Sequence, residues 1–329
     1  MPTKAPVAEP QPGGFYSWID GAYESIKMPT YGLGFRLIPA GSTDGQAASF
    51  DQRIGGYGIS GGVGYFLPRG MFLSNFGNNA RLEFGGSYVD ASASQAASIS
   101  GPGTTNASLP NLAGATLIAT ACGAGCTSTS NLKTSYSSWR ASGAFLTDYR
   151  VNGITLTPSL RIFGGQSRNN QTLSNRATFA GSANFAQYDV STKLDWTDWG
   201  GRVGLSGSAP VTDRMTFSIG GNIGLAARNV SLNGSDTSFL SLFPATINAS
   251  AISLHQTTTP FLANAETSLA FKLAPNWLLR TFAGVDYDSK VPGIAAPGVV
   301  LGGGNSTPAG LNSQSLASYY VGGGLTAKF

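Results

Sequence analysis

The sequence predicts an all-β fold, a transmembrane antiparallel up-and-down β-barrel of about ten strands, with twelve strands as the alternative. Charged residues make up only 11% of the chain, less than half of the roughly 25% that is usual in soluble domains. No stretch approaches the roughly 18 continuous apolar residues of a membrane helix. Instead, long segments alternate apolar and polar residues, which is the period of strands whose two faces meet different surroundings.

Five alternating segments lie in the first half of the chain, at 15–25, 53–67, 80–90, 134–149 and 154–166. Their apolar faces are Phe15, Ile19 and Tyr23; Tyr57, Ile59, Val63 and Tyr65; Leu82, Phe84 and Tyr88; Trp139, Ala141, Gly143 and Phe145; and Leu156, Leu160 and Ile162. The pair Asn152-Gly153 predicts a tight hairpin turn between the last two segments, because both residues accept positive φ.

Five more strands are predicted in the second half, at 188–207, 215–230, 261–273, 277–287 and 317–329. The apolar faces that define them include Trp199, Val203 and Leu205; Met215, Phe217, Ile219, Ile223 and Leu225; Ala263, Ala265, Leu269 and Phe271; and Tyr319, Val321 and Leu325. Short turns at 209–213 and 274–276 join neighbouring strands. An even strand number places both termini on the short-turn side of the membrane.

The remaining ranges are expected to be long loops on the opposite side and a flexible tail on the short-turn side. Loops are predicted near 26–50, 92–131, 168–187, 231–258 and 289–315, and the tail covers residues 1–14. A further hairpin within 92–131 or 231–258 would raise the strand number to twelve.

Charged residues in the middle of the strands fall on the polar face. They are Asp20, Arg81, Glu83, Arg140, Arg161, Arg202, Glu266, Arg280 and Asp286. A lipid-facing Arg or Lys at mid-depth would cost about 2 to 4 kcal/mol, so we expect these side chains to line the barrel lumen. A soluble β-sandwich would place its charges outward and would have shorter strands.

The last thirteen residues, ASYYVGGGLTAKF, alternate strictly and end on the aromatic Phe329. This stretch resembles the closing strand of bacterial outer-membrane β-barrels. The resemblance implies an outer-membrane location among lipid and lipopolysaccharide, and insertion by the barrel-assembly machinery through the strand that ends in Phe329.

The opening MPTKAPVAEPQPGG is similar to the mature start of alphaproteobacterial outer-membrane proteins of the porin-like or surface-antigen type. The similarity implies a short periplasmic tail behind a removed signal peptide, so Met1 is not expected to be the initiator.

The lumen has two interpretations. Arg81, Arg140, Arg161, Arg202 and Arg280 favour a small passive pore for ions or solutes with a weak anion preference. The same residues would instead close the lumen if they paired with the inward carboxylates in a barrel this narrow.

Other chemistry has little support in the sequence. The single histidine, His255, has no carboxylate or serine at a recognisable spacing, so we predict no enzyme, no metal and no cofactor. Cys122 and Cys126 predict a small loop disulfide. Nucleic-acid binding is not expected, because the chain has no Lys/Arg run and a net charge of only +4.

Three predicted loops carry apolar runs, at Asn111–Ala121, Phe239–Ile247 and Val291–Leu301. Solvated loops of monomers rarely expose this much apolar surface. The runs therefore predict either a lid over the barrel mouth or a docking surface for a surface partner or a second copy, which would make the chain an interaction or scaffold protein.

Overall fold

A computed structural model describes residues 14–39, 45–68, 78–101, 104–298 and 307–329. Within these ranges the strands are β1 (Phe15–Lys27), β2 (Arg36–Pro39), β3 (Gln46–Ala47), β4 (Arg53–Phe66), β5 (Asn78–Ser100), β6 (Thr104–Pro110), β7 (Thr116–Ala124), β8 (Thr127–Val151), β9 (Ile154–Thr178), β10 (Phe185–Thr212), β11 (Met215–Leu240), β12 (Phe243–Thr258), β13 (Phe261–Ala274), β14 (Trp277–Ala295) and β15 (Gly310–Lys328). The predicted tail, apart from Gly14, lies outside the described residues.

Ten of these strands form a closed antiparallel ring. The order is β10-β9-β8-β5-β4-β1-β15-β14-β13-β11, and pairing of β10 with β11 closes it. The first and last strands are neighbours, with Gly21 opposite Gly323. The β8–β9 turn contains Asn152 at φ 50° and Gly153 at φ 83°, as the Asn-Gly signal predicts. The predicted ten-stranded barrel is confirmed.

Strands β12 and β13 behave as one interrupted strand, which settles the choice between ten and twelve. Thr258 pairs with Arg228 and Phe261 pairs with Leu225, so the register along β11 is the same on both sides of the break. Pro260 lies at the break, where it cannot donate a ladder hydrogen bond. The range 231–258 does contain a hairpin, between β11 and β12, but this hairpin adds no strand to the ring.

Several ranges predicted to be loops are strands in the structure. β9 runs on to Thr178 and β10 starts at Phe185, so little of the predicted loop at 168–187 remains. β5, β8 and β11 likewise extend well beyond their predicted ends. These extensions are rich in Ser, Thr and Asn, and the loop prediction was wrong because it weighed this polar composition above the alternation that continues through it.

The polarity of the two faces reverses along a single strand. In the lower part of β10, the outward side chains Trp199 and Val203 are 68% and 55% exposed, and the inward side carries Arg202. In the upper part, Ser191 and Lys193 point outward, and Leu194 is buried inside. The lower half therefore has an apolar exterior, as a membrane-spanning barrel requires, and the upper half has a polar exterior and an apolar interior.

A second, four-stranded sheet lies within the upper half, in the order β3-β2-β6-β7. We use the name plug for residues 28–39, 45–50 and 107–112, which include parts of this sheet. Its side chains share one buried cluster with the inward side chains of the barrel wall. Members from the plug are Met28, Tyr31, Leu33, Phe35, Leu37, Ala48, Phe50, Ala107, Leu109 and Leu112, and members from the wall include Leu132, Leu173, Tyr188, Val190 and Leu194.

Among the described residues there is no helix long and apolar enough to cross a bilayer.

Candidate functional site

The candidate site is the lumen of the lower half, beneath the plug. Two adjoining cavities of about 630 and 330 Å³ share wall residues that include Asp20, Arg140, Arg202 and Arg280. Small inward residues leave this space open, namely Ser60, Ser87, Ser142, Ser206 and Ser218. Ile26, Met28 and Trp196 line the upper cavity, where the apolar core of the upper half begins.

Three lumenal arginines are each paired with two carboxylates. Arg280 lies 3.1 Å from Asp20 and 3.4 Å from Glu266. Arg81, near the short turns, lies 3.0 Å from Asp148 and 3.6 Å from Glu83.

The third, Arg228, is 2% exposed and lies 2.7 Å from both Asp198 and Asp288. Its remaining Nη1 donates to the carbonyl oxygen of Lys290 at 2.7 Å. This cluster borders the upper cavity just below the plug. A buried arginine with this many partners ties β10, β11 and β14 together at the junction of the two halves.

Hydrogen bonds extend along the lumenal wall from the Arg280 cluster. The Tyr320 hydroxyl donates to Glu266 at 3.0 Å and accepts from Asn264 at 2.8 Å. Asn222 donates to Asn264 at 3.2 Å and accepts from Arg202 at 3.0 Å. Asn264 also donates to Asp286 at 3.1 Å. The network holds the polar groups of five strands in fixed positions.

Arg140, Arg161 and Arg202 differ from the paired arginines. They lie on β8, β9 and β10, and no carboxylate among the described residues lies within 4.0 Å of any of them. The guanidinium groups of Arg140 and Arg202 lie 5.0 and 5.3 Å from the ring centroid of Phe163. These two arginines are held by an aromatic face rather than by counter-ions.

Buried polar side chains of the wall hold the plug in place. The Asn175 Oδ1 accepts from the backbone N–H of Phe35 at 2.7 Å, and its Nδ2 donates to Ser128, Ser130 and the carbonyl oxygen of Thr129. Gly34 has φ 122°, and a Cβ there would lie 2.9 Å from Asn175 Oδ1. The approach of the plug to Asn175 therefore requires glycine.

Asp236 provides a second anchor. This buried carboxylate accepts from the backbone N–H of Leu112 at 2.6 Å, from the Tyr188 hydroxyl at 2.9 Å and from Ser250. Burial and the Asp236 charge raise the pKa of the Tyr188 phenol, so its proton stays available for this bond.

Parts of all three apolar runs contribute to the buried core. Leu112 and Ile294 are buried members, and Leu240 packs against them. Leu242 and Ile247, in contrast, are 53% and 67% exposed. The side chains of 116–124 and 243–246 and the whole of 299–306 lie outside the described part. Residues 28–39 and 45–50, within a predicted loop, supply more of the buried core than the apolar runs do. The apolar residues of MPTYGLGFRLI are the sequence signal for this segment.

The nine charged residues predicted to line the lumen all lie on the inward face, but in different settings. Asp20, Glu83, Arg140, Arg161, Arg202, Glu266, Arg280 and Asp286 border the cavities, whereas Arg81 lies in its ion-pair cluster near the short turns. Asp148, Asp198, Arg228 and Asp288 were missed. Asp148, Asp198 and Arg228 lie on the polar face within the predicted strands 134–149, 188–207 and 215–230, so the alternation alone could have found them.

The remaining predictions concern His255, the two cysteines and Phe329. His255 lies on the exposed outer face of β12, opposite Ser231, and the described residues hold no group of metal-binding side chains. Cys126 is buried and disulfide-bonded. The side chain of its predicted partner, Cys122, lies outside the described part, so that pairing stays a prediction. Phe329 is 77% exposed at the short-turn end.

No family model matches the chain, and no curated protein matches it. Solved structures with a similar chain path include the outer membrane protease OmpT from Escherichia coli, at 12% identity, full coverage of both chains and a TM-score of 0.46. The translocator domain of the autotransporter NalP from Neisseria meningitidis matches at 12% identity, covering 95% of this chain and 88% of that one, with a TM-score of 0.34. A FadL homologue of Pseudomonas aeruginosa matches at 10% identity over 97% and 90%, with a TM-score of 0.23. None of these likenesses assigns a function to this chain.

Proposed function

We propose that this chain is an integral β-barrel of a bacterial outer membrane whose lumen is closed on the extracellular side and which acts by presenting its extracellular half at the cell surface. The reversal of face polarity along the strands is the observation that carries the proposal. It provides an apolar band for lipid below and a water-exposed, internally packed structure above.

Support for a membrane location comes from the exterior of the lower half. Outward aliphatic side chains on neighbouring strands are exposed together, including Leu160, Ile162, Val203, Ile219 and Ile223. Trp139, Trp199 and Tyr57 lie at the upper edge of this band, where amphipathic rings suit a membrane interface. A soluble protein would not expose a continuous apolar belt of this size.

Support for a closed lumen comes from the plug. The apolar side chains on the inward face of the upper half are buried in one cluster with those of the plug, and the anchors at Asn175 and Asp236 hold the plug there. An ion that crossed this cluster would exchange water for buried apolar side chains, which is costly.

The partners follow from this placement as part of the proposal. Outer-membrane lipid and lipopolysaccharide surround the band, and the assembly machinery recognises the strand that ends in Phe329. A surface partner, or a second copy of the chain, docks on the extracellular end, where Leu242 and Ile247 are exposed.

A planar-bilayer recording tests the closed lumen. We expect the folded wild type to give no steady conductance, and a variant with residues 29–50 replaced by a short Gly/Ser linker to conduct. The outward substitution Asp189→Asn serves as a control and should remain silent. Steady conductance of the wild type would overturn the closed lumen.

A passive pore with weak anion preference is the second candidate. The unpaired arginines Arg140, Arg161 and Arg202 favour it, because inward cations without counter-ions attract anions. This candidate requires the plug to move. A reversal potential that favours anions, recorded with wild-type protein in a salt gradient, would support it over the closed barrel.

A further inference from the structure

We propose that Arg140, Arg161 and Arg202 form a binding site for a phosphate-type oxyanion inside the membrane half of the barrel. This site is separate from the surface role proposed above and does not depend on whether the plug moves.

The first observation is the contrast among the lumenal arginines. Arg81, Arg228 and Arg280 each meet two carboxylates. Arg140, Arg161 and Arg202 meet none within 4.0 Å among the described residues. The carboxylates that border the same cavities are engaged in part, since Asp20 and Glu266 bind Arg280, Glu83 lies 3.6 Å from Arg81 and Asp286 accepts from Asn264. Glu24 borders the upper cavity together with Arg140 but forms no ion pair within 4.0 Å among the described residues. Positive charge is therefore concentrated on the β9–β10 wall, around Arg161 and Arg202.

The second observation is the register. Arg161 lies directly opposite Arg202 on the same face of the β9–β10 pair. Like charges at directly opposed positions destabilise a sheet. Here the two arginines lie opposite each other inside the lumen, where an unpaired charge is more costly than in open water. An anion bound between the two groups would turn this repulsion into attraction.

The third observation is the unused donor capacity. Arg202 donates from Nη1 to Asn222, but its buried Nε has no partner in the structure. A Cβ at Gly224 would lie 2.7 Å from Cγ of Arg202, so the glycine leaves room for the Arg202 stem to pass. Phe163, which is 5% exposed, contacts two of the guanidinium groups. The cluster is thus positioned without any counter-ion of its own.

The cavity in front of the cluster suits an oxyanion. Its wall supplies hydroxyl groups from Ser142, Ser159, Ser206 and Ser218. Guanidinium groups bind phosphate oxygens with pairs of parallel hydrogen bonds, and hydroxyl groups add further donors. The same cavity is lined by Tyr16 and Thr326 near the short turns, so the ligand would enter from the periplasmic side.

Calorimetry tests the site. The full chain is folded in a phosphate-free detergent such as an alkyl maltoside, in low-chloride buffer, and titrated with inorganic phosphate. We expect saturable binding with one phosphate per chain. Arg161→Gln and Arg202→Gln should each weaken it about tenfold or more, since each removes a hydrogen bond between charged groups. Arg150→Gln, at the exposed end of β8 beside the β8–β9 turn, is the matched control and should bind as the wild type does.

Thermal unfolding provides a second measurement that does not rely on binding heat. Phosphate should raise the Tm of the wild type and of Arg150→Gln but not that of Arg161→Gln. Without phosphate, Arg161→Gln should be at least as stable as the wild type, because the opposed charges are gone. Glycerol phosphate is titrated in parallel, and its affinity is compared with that of inorganic phosphate. Tighter binding of glycerol phosphate would mean that the rest of the cavity also contacts the ligand, and tighter binding of inorganic phosphate would mean a site for the free anion. Either result supports the proposal.

Three results would overturn the proposal. The first is no saturable binding to verified folded protein. The second is equal phosphate affinity in the wild type and both lumenal variants. The third is an equal loss of affinity in Arg150→Gln, which would show that phosphate responds only to net charge.

Discussion

The upper and lower halves of this barrel use the same strands for opposite purposes. Along β10, Val203 faces outward below and Ser191 faces outward above, whereas Arg202 and Leu194 face inward. The alternation never loses its period; only the polarity of each face changes. The two-residue period therefore identifies a strand, and the polarity of its outward face indicates whether lipid or water surrounds it.

This difference also explains what fills each half. The lower half must keep its polar groups inside, so small residues and paired charges leave a polar cavity there. The upper half meets water outside and can pack an apolar core inside, which the plug completes. The Arg228 cluster with Asp198 and Asp288 lies where one arrangement gives way to the other.

The largest expected effect comes from removing a plug side chain. Phe35 is 1% exposed, and Phe35→Ala should lower the free energy of unfolding of the upper half by about 3 to 5 kcal/mol. The matched change Phe84→Ala, at a ring that is 61% exposed on the outer face of the lower half, should have a much smaller effect because lipid chains refill the space. Guanidinium denaturation with hydrogen exchange of plug amides measures both. Equal effects would mean that the upper half has no core of its own.

The next effect tests the exterior. Val203→Arg places a charge on the lipid-facing side and should cost about 2 to 4 kcal/mol in lipid vesicles. Ser191→Arg, at an outward position higher on the same strand, should change the free energy of unfolding by no more than about 0.5 kcal/mol. A harmless Val203→Arg would argue against the position of the membrane band.

A smaller effect is expected at the plug anchor. Asn175→Ala leaves the backbone N–H of Phe35 without its acceptor and should cost about 1 to 3 kcal/mol. Asn170→Ala, at an exposed outward position on the same strand, is the control and should be close to neutral. Faster exchange of the Phe35 amide in Asn175→Ala alone would confirm the anchor; unchanged exchange would contradict it.

The smallest effect is expected on the outer surface of the upper half. Asp195 meets Arg168 at 2.7 Å and Lys193 at 3.2 Å, with both cations well exposed. Asp195→Asn should cost less than about 1 kcal/mol, and this cost should fall as salt is added. Urea titrations at low and high salt measure it. A larger cost that does not depend on salt would show that these ion pairs are not solvated.

Sequence alternation was enough to place the ring strands within the lower half, but not their upper ends. Trp139, Trp199 and Tyr57 mark the level at which the outward face becomes polar. Beyond it, polar outward residues resemble loop composition, so β9 and β10 were predicted too short. The apolar segment 28–39 is likewise predicted to be a loop, because its sequence pattern does not indicate that the segment folds back into the barrel.

The sequence by itself determined the all-β class, a strand number of about ten, the Asn152-Gly153 turn and the inward side of the mid-strand charges, because each depends on a period or a turn signal within a few residues. The choice of ten over twelve needed the shared register of β12 and β13 along β11. Only the tertiary structure decided which charges pair. Asp20 and Arg280 meet across 260 residues of chain. Arg161 and Arg202 lie opposite each other, and no carboxylate in the described ranges lies within 4.0 Å of either. Such meetings depend on ring closure and register, which bring distant strands together and which no local pattern encodes.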